Sequence, residues 1–598
     1  MKLLSKVLSK KEVVIKKLKI ILDKKVYYFF LLLIGMIISA VIELFSITLV
    51  PVFISSLIDF ESFLNFLPKT IHAYFKGFEE NDVIIISALF IIFAFLIKSI
   101  IVFYVIYFEL DLFKTIYLSC ANKLFEKYIN ESFSQHIKRN KSTIIRNINE
   151  EVTNTSNYIR AILIIARELS VTLGALMMIL IISGIYASPG ILILLAICLS
   201  FILIVKKKLK SYGEKSLIIR EEILSLINYG ILSFKVGKIL NLSSKLIKNF
   251  TIKNSINQNY LFFHRIVSAL PRFIIEFFAV IILLGICLIL TILDYSNVET
   301  ISLLALISLV TIRMIPAFQH LTGAISALKF YKPSFNLIIK EINEADNSHD
   351  YYQFLDNKTD RANLNQSFDK INIENLSFKY EGQDKLIFKS LSLTLELNKI
   401  IGIYGMSGSG KTTFADILMG LLEKYEGDIF FGNLNIKDQS NQWKKYISYV
   451  PQESFLINES IKDNIIFGEN DYNLSQYNFA SDISMMSEIT KNLPQKDQTI
   501  IGKNGFNLSG GQKQRIGIAR ALFKKPKFLI MDESTNSLDS GTQNFIINKL
   551  KEKKNEMTTI LISHDFNVIK ECDQILHFKN DKVIHHKDPK SFFQEQGI

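Results

Sequence analysis

The sequence predicts two unlike domains in one chain: an all-α domain of six membrane-spanning helices, then a soluble α/β domain. Three observations predict it. Six long apolar runs fall within the first 321 residues; a strand, a glycine-rich loop and a helix follow one another between 400 and 422; and the apolar run from Phe528 to Met531 ends in two carboxylates, Asp532 and Glu533. Residues 1–330 are assigned to the membrane domain, 331–369 to a polar linker and 370–598 to the soluble domain.

The apolar runs lie near residues 26–56, 83–107, 160–187, 188–205, 273–293 and 301–321. Each is close to the roughly 20 residues needed to cross a hydrocarbon core. Ala187-Ser188-Pro189-Gly190 separates the third from the fourth and predicts a tight antiparallel turn. Residues 1–25 hold nine lysines against Glu12 and Asp23, and the connections near 108–159 and 206–262 are also basic. The intervening outer loops near 57–82, 188–190 and 294–300 carry only Lys69 and Lys76. The positive-inside rule therefore places the N-terminus, and after six crossings the soluble domain, in the cytoplasm of a bacterial inner membrane. The net charge of +13 is concentrated beside the apolar segments. Membrane lipid headgroups, and not nucleic acid, are then the partner this charge implies. The N-terminus has no small-residue cleavage site before the first run. The cysteines, Cys120, Cys198, Cys287 and Cys572, lie far apart, a spacing that argues against zinc and against a disulfide framework. The two basic connections are too long for turns and keep a helix-forming composition, so the membrane helices should continue into the cytosol. Their tips are expected at Lys138–Asn147 and Asn228–Gly237.

In the soluble domain, Gly405-Met406-Ser407-Gly408-Ser409-Gly410-Lys411-Thr412 follows the apolar run Ile400–Tyr404 and precedes a helical stretch beginning at Thr413. This is the context a phosphate-binding loop requires. Glycines allow several backbone N–H groups to curl around a phosphate, and the helix N-terminus adds partial positive charge. Lys411 would reach the terminal phosphates of ATP and the Thr412 hydroxyl would ligate Mg²⁺. Of the two carboxylates, Asp532 would hold the hydrated metal and Glu533 would polarise the attacking water. About a hundred residues after the loop comes Leu508-Ser509-Gly510-Gly511-Gln512.

These motifs, in this order, resemble the nucleotide-binding domains of ABC transporters over about residues 370–598. The resemblance implies a chain of the ABC exporter type: a six-helix all-α transmembrane domain followed by an α/β P-loop ABC nucleotide-binding domain. It assigns Tyr380 to adenine stacking, and Gly405, Ser407, Gly408, Ser409, Gly410, Lys411, Thr412 and Thr413 to the phosphates and Mg²⁺. Gln452, in Val450-Pro451-Gln452, would contact the magnesium and the water, and His564 would be the switch histidine near the γ-phosphate. Ser509, Gly510, Gly511, Gln512 and Asp539 would belong to the face that completes the ATP site of a second subunit. One chain would then be unable to complete a site, and a homodimer is implied. Ser534 and Asn536 depart from the usual small neighbours of the catalytic pair, and Asp565 stands where exporters commonly carry Arg.

Charges within the apolar segments bear on what would be moved. Lys98, Arg272 and Arg313 are basic, and Glu43 and Glu276 acidic. They pair, as Glu43 with Lys98 or Arg272 with Glu276, or line a cavity that takes an anionic headgroup, or snorkel to the membrane interface. Phe63, Leu67, Ile71, Tyr74, Phe75 and Phe78 recur at helical spacing in the first outer loop, suggesting an amphipathic helix on the outer membrane surface. Together with Ile42-Glu43, Pro271-Arg272 and Arg313-Met314-Ile315-Pro316, this resembles a bacterial subgroup of ABC exporters that flips polyprenyl-pyrophosphate-linked oligosaccharides for protein glycosylation. That resemblance implies cavity residues Lys98, Arg272 and Arg313 for the pyrophosphate. Another lipid, a hydrophobic peptide or a drug is the alternative cargo.

Overall fold

The computed structural model describes residues 17–58, 80–183, 188–292, 297–346, 370–469, 472–502, 507–579 and 582–597. The chain divides into two compact units: residues 1–131 with 136–351, and residues 352–598 with 132–135. The amphipathic outer segment expected around residues 63–78 lies outside the described residues.

In the N-terminal unit, six helices among the described residues exceed thirty residues: α1 (Val26–Ile58), α2 (Glu80–Asn130), α5 (Val152–Ser183), α6 (Ser188–Leu232), α8 (Ser243–Ile292) and α9 (Asn297–Asp346). Short helices α3 (Phe133–Lys138), whose first three residues count with the other unit, and α4 (Lys141–Arg146) join α2 to α5, and α7 (Phe234–Ile239) joins α6 to α8. At 1.5 Å per residue, the 51 residues of α2 extend to about 76 Å, more than twice a hydrocarbon core of about 30 Å. The helices therefore outrun their apolar segments, as the composition of the connections suggested. Two helical stretches among the described residues, Val26–Val50 and Glu80–Asn130, are long and apolar enough to cross a membrane.

The polar ends of these helices are held by ion pairs. Arg146 is 1 % exposed and meets Glu221 at 2.5 Å and Glu151 at 3.8 Å, while Arg220 meets Glu151 at 2.8 Å. The fully buried Glu151 is compensated chiefly by Arg220, which bonds both its carboxylate oxygens; removing Arg220 would leave only Arg146, at 3.8 Å, to face the charge. Further along, Tyr158 of α5 stacks on Phe335 of α9 with centroids 4.4 Å apart.

Helix α9 corrects the expected linker. It continues through residues 331–346, past Pro333, because Phe335, Ile338, Ile339 and Ile342 recur at helical spacing and are all buried. The polar residues between them made this stretch look like a connector. Residues 347–369 lie outside the described residues.

The C-terminal unit contains two sheets. A four-stranded antiparallel sheet has the order β2-β1-β4-β5, from β1 (Lys370–Phe378), β2 (Phe388–Glu396), β4 (Glu426–Phe431) and β5 (Leu434–Asn435). A six-stranded sheet has the order β10-β9-β3-β8-β7-β6, from β3 (Ile400–Gly405), β6 (Ile447–Val450), β7 (Phe528–Asp532), β8 (Thr558–Ile562), β9 (Gln574–Lys579) and β10 (Lys582–His586). All of its pairings are parallel except β9 with β10. Every residue of β7 and β8 is buried, which is why β7 reads as an apolar run as far as Asp532. Four further helices frame the chemistry: α10 (Lys411–Leu418), α11 (Gly510–Phe523), α12 (Ser540–Glu552) and α13 (Pro589–Gln596).

Candidate active site

Strands β3, β8, β7 and β6 lie side by side and parallel, so their carboxyl ends open onto one edge of the sheet. In open parallel sheets that edge is where ligands bind. The fold thereby gathers four motifs scattered over more than 150 residues: the glycine loop after β3, Gln452 after β6, the carboxylates at the end of β7, and His564 after β8.

The loop turns through an Ser409 N–H to Met406 carbonyl hydrogen bond of 3.2 Å. Gly410 caps α10 at φ 97°, and a Cβ there would stand 2.8 Å from Ile387 Cγ2, so both conformation and space demand glycine. Lys411 is buried, and its ammonium donates to the carbonyls of Gly405 at 2.8 Å and Met406 at 2.9 Å. Burial lowers its pKa, while the carboxylates of Glu533 and Asp532 oppose the shift. The Ser409 hydroxyl is buried within the loop and has no hydrogen-bond partner among the described residues. A glycine-lined loop, an amide-rich helix start, a buried ammonium and an orphaned hydroxyl make a chemical fit to a polyphosphate.

Behind the loop sits an oxygen-rich corner. Asp532 is 8 % exposed and is hydrogen-bonded by the Thr412 hydroxyl and, at 3.5 Å, by the Tyr449 hydroxyl. Burial and then the charge of Glu533 raise its pKa. Thr412 and Asp532 supply the hard oxygen donors that Mg²⁺ prefers. Asp416, one turn along α10 from Thr412, is also buried; burial and then Asp532 push its carboxyl up to about 7.

Glu533 is where the predicted catalytic residues meet. Its carboxylate accepts from Gln452 Nε2 at 3.0 Å and faces His564 Nε2 at 3.1 Å. Asn536 Nδ2 stands 3.4 Å from the same oxygen that Gln452 contacts. The Glu533 backbone has φ 47°, a costly conformation for a non-glycine residue, and its N–H is tied to the Ile562 carbonyl at 2.9 Å. That tie to β8 aims the carboxylate at the residues following β8 and β6.

Tyr380 lies beside the phosphate-loop helix: its hydroxyl is 3.1 Å from Thr413 Oγ1, and its ring meets Phe378 edge-on at 5.1 Å. The second predicted group forms its own local structure. Ser509 and Gln512 make a reciprocal capping box at the start of α11, and Asp539 caps α12 by accepting the Thr542 N–H at 2.8 Å. A Cβ on Gly511 would stand 2.9 Å from the Ser537 carbonyl, so the two caps are close neighbours. Among the described residues, no hydrogen bond joins Ser509–Gln512 to the phosphate loop. Asp565 caps the following turn, accepting the Asn567 N–H at 2.8 Å.

Sequence reasoning missed Tyr449, Asp416 and the contact made by Asn536. An aspartate among Phe414, Ala415, Ile417 and Leu418 was the available signal for a carboxylate turned into the core. For the charges in the N-terminal unit, Lys98 meets Glu43 at 3.9 Å, the pairing alternative. Arg272 and Glu276 are both exposed on α8, and among the described residues no ion pair joins them. The Arg313 side chain lies outside the described residues.

Comparison with known proteins agrees with this geometry. Residues 388–536 match the ABC transporter family profile. The chain is 32 % identical over 230 residues to an ATP-dependent lipid A-core flippase of Haemophilus influenzae, covering 38 % of this chain and 39 % of that protein. It is 29 % identical over 290 residues to the heterocyst differentiation ATP-binding protein HepA of Nostoc, covering 48 % and 46 %. It is 36 % identical over 238 residues to the pediocin PA-1 transport/processing ATP-binding protein PedD of Pediococcus acidilactici, covering 39 % and 33 %. The matched regions span less than half the length of each of these relatives. In structure, the chain is similar to a bacterial Atm1-family ABC exporter with ATP bound, at a TM-score of 0.72 and 17 % identity over 95 % of this chain and 97 % of that one. The chain carries an ABC transporter ATPase domain. Its fold is that of an ABC exporter.

Proposed function

We propose that this protein is an ATP-driven exporter of the bacterial inner membrane that works as a homodimer and moves an amphipathic anionic lipid from the cytoplasmic to the outer leaflet. The observation that carries the ATPase part is the convergence of Gln452 and His564 on the Glu533 carboxylate beside the Lys411 loop. Bound Mg²⁺, held by Thr412, Asp532 and Gln452, would neutralise charge on the terminal phosphates. Glu533 accepts a proton from the attacking water while Gln452 and His564 hold its carboxylate in place, and Lys411 offsets the charge that develops on the phosphate. Ser509 with the amides of Gly510 and Gly511, and Asp539 beside them, would close the site of the second copy.

For the cargo, we favour a polyprenyl-pyrophosphate-linked oligosaccharide. A pyrophosphate cannot cross hydrocarbon unaided, and cationic side chains along a wet path lower that barrier. Supporting this is a cavity of about 340 Å³ between α5, α8 and α9, lined by His320, Gln319, Asn157 and an Arg160 that is itself paired with Glu109 at 2.9 Å, among others. Arg272 and Arg313 are the further cationic candidates; Lys98, paired with Glu43, is the weakest of the three. The similarity to a lipid A-core flippase favours a second reading, another phosphorylated lipid.

ATP-dependent translocation of a labelled polyprenyl-pyrophosphate oligosaccharide, in proteoliposomes containing this chain alone, tests both parts. Glu533→Gln should abolish transport and lower hydrolysis by about 10²–10⁴-fold with nucleotide binding kept. Robust hydrolysis without translocation of this substrate, but with translocation of a lipid A-type phosphorylated glycolipid, would move the cargo to the second reading.

A further inference from the structure

Away from the ATP site, three metal-ligating side chains from three elements meet at the end of the C-terminal unit. His577 lies on β9, His586 on β10 and Glu595 on α13, and one donor atom from each falls within 4.8 Å of the others. The register explains the pair of histidines: His577 is opposite Ile584, and His586 is two residues further along the same face of β10. Helix α13 starts with Asp588 as its cap and Pro589 in its first turn, and Phe592 packs against both imidazoles at 5.3 and 5.6 Å. The histidines are 5 % and 8 % exposed.

The hydrogen-bond directions decide what this cluster holds. The Ser591 hydroxyl donates to the Asp588 carbonyl at 2.7 Å, so towards His586 Nδ1, 3.0 Å away, it acts as acceptor. His586 Nδ1 therefore carries a proton, and Nε2 on the far side of the ring stands 3.3 Å from Glu595 Oε2. Nε2 has no hydrogen-bond partner among the described residues. His577 Nδ1, equally buried, has none either. The remaining Glu595 oxygen is engaged by Lys579 at 3.3 Å, which leaves Oε2 for the cluster. Two buried imidazoles with unpartnered nitrogens and a carboxylate oxygen form a donor set that calls for a cation between them.

We propose that His577, His586 and Glu595 bind one zinc-type divalent cation per chain, with a fourth position open to water. Tetrahedral ligands at 2.0–2.2 Å from Zn²⁺ stand about 3.4 Å apart. The His586–Glu595 pair already has that separation, and His577 need close by about 1.4 Å at most. Ser591 serves as the outer hydrogen bond that fixes the orientation of a ligating histidine. The ion would staple the last helix to β9, the strand that pairs with β3. Tyr404 at the end of β3 has its ring 5.7 Å from that of His577 and 6.4 Å from that of His564, so the site lies one aromatic ring from the catalytic histidine.

The test is titration of the full-length chain, purified in detergent, stripped with EDTA and free of nucleotide, with Zn²⁺ alone against a chromogenic chelator. Expected are one saturable equivalent per chain, a Zn²⁺-dependent rise in the Tm of the ATPase-domain transition, and visible d–d absorption when Co²⁺ replaces Zn²⁺. His586→Asn should abolish all three. Glu595→Gln, an exposed change on the last helix that leaves the fold intact, should weaken binding by at least about 10-fold and remove the Tm rise. Absence of saturable binding, or binding with the same affinity in Glu595→Gln, would overturn the site and reduce the cluster to an ion pair between protonated His586 and Glu595.

Discussion

The residues around Asp532 carry more carboxylate than a metal site alone requires, and Asp416 is the excess. Its folded pKa of about 7 lies above the ordinary aspartate value, so folding favours its protonated form. The sign follows: the stability associated with that proton is fully present below about pH 4 and is lost as pH rises towards 7. Asp416→Asn should therefore stabilise the ATPase domain at pH 8 by on the order of 1–3 kcal/mol and leave it unchanged near pH 4. Thermal unfolding of the full chain in detergent at the two pH values checks this; an equal effect at both would show that Asp416 is ionised throughout. The contiguous residues of the site were legible, because a phosphate loop is written into eight consecutive positions. Glu533, Gln452 and His564 came from motif order, but their meeting on one carboxylate depends on the order of β6, β7 and β8 in the sheet. Asp416 and Tyr449 were not legible, since their roles arise from burial against Asp532 and not from spacing.

At the scale of elements, Ser509 has two duties that one substitution separates. Within its own chain it caps α11 through the box with Gln512, a contact worth about 1 kcal/mol. In the proposed dimer its hydroxyl faces the γ-phosphate on the other copy. Aspartate is as good a cap as serine, but its charge would repel that phosphate. Ser509→Asp should therefore keep the Tm within about 0.5 kcal/mol equivalent while hydrolysis falls at least 100-fold. A variant that hydrolyses ATP normally would confine Ser509 to the cap. The same scale explains the misread linker: residues 331–346 combine a proline and several polar residues with four apolar ones at helical spacing, and the buried stripe prevails over the local composition. It explains as well why the cysteine spacing, which spoke against zinc, had no bearing on His577, His586 and Glu595. Those donors come from two strands and a helix, and only the antiparallel turn-back of β10 and the capped start of α13 bring them together.

For the whole molecule, the question is whether one chain suffices, and complementation answers it. Lys411→Ala removes the ammonium from the phosphate loop, and Ser509→Asp poisons the face offered to the partner, so each variant alone should be inactive. In a head-to-tail homodimer mixing the two, one site pairs an intact Lys411 loop with an intact Ser509 face, while the other site collects both defects. Random assembly makes half the dimers mixed, so about one quarter of all sites are restored. Coexpression of the two variants, with mixed dimers isolated through two different affinity tags, should recover hydrolysis in the mixed fraction and in neither parent. If the mixed dimers are isolated and remain inactive, the two residues serve a single site within each chain or both sites must fire together; a wild-type and Lys411→Ala mixed dimer separates these, since it keeps one intact site. Hydrolysis by that dimer alongside silence in the double-variant dimer would reject the head-to-tail arrangement and leave each ATP site to its own chain.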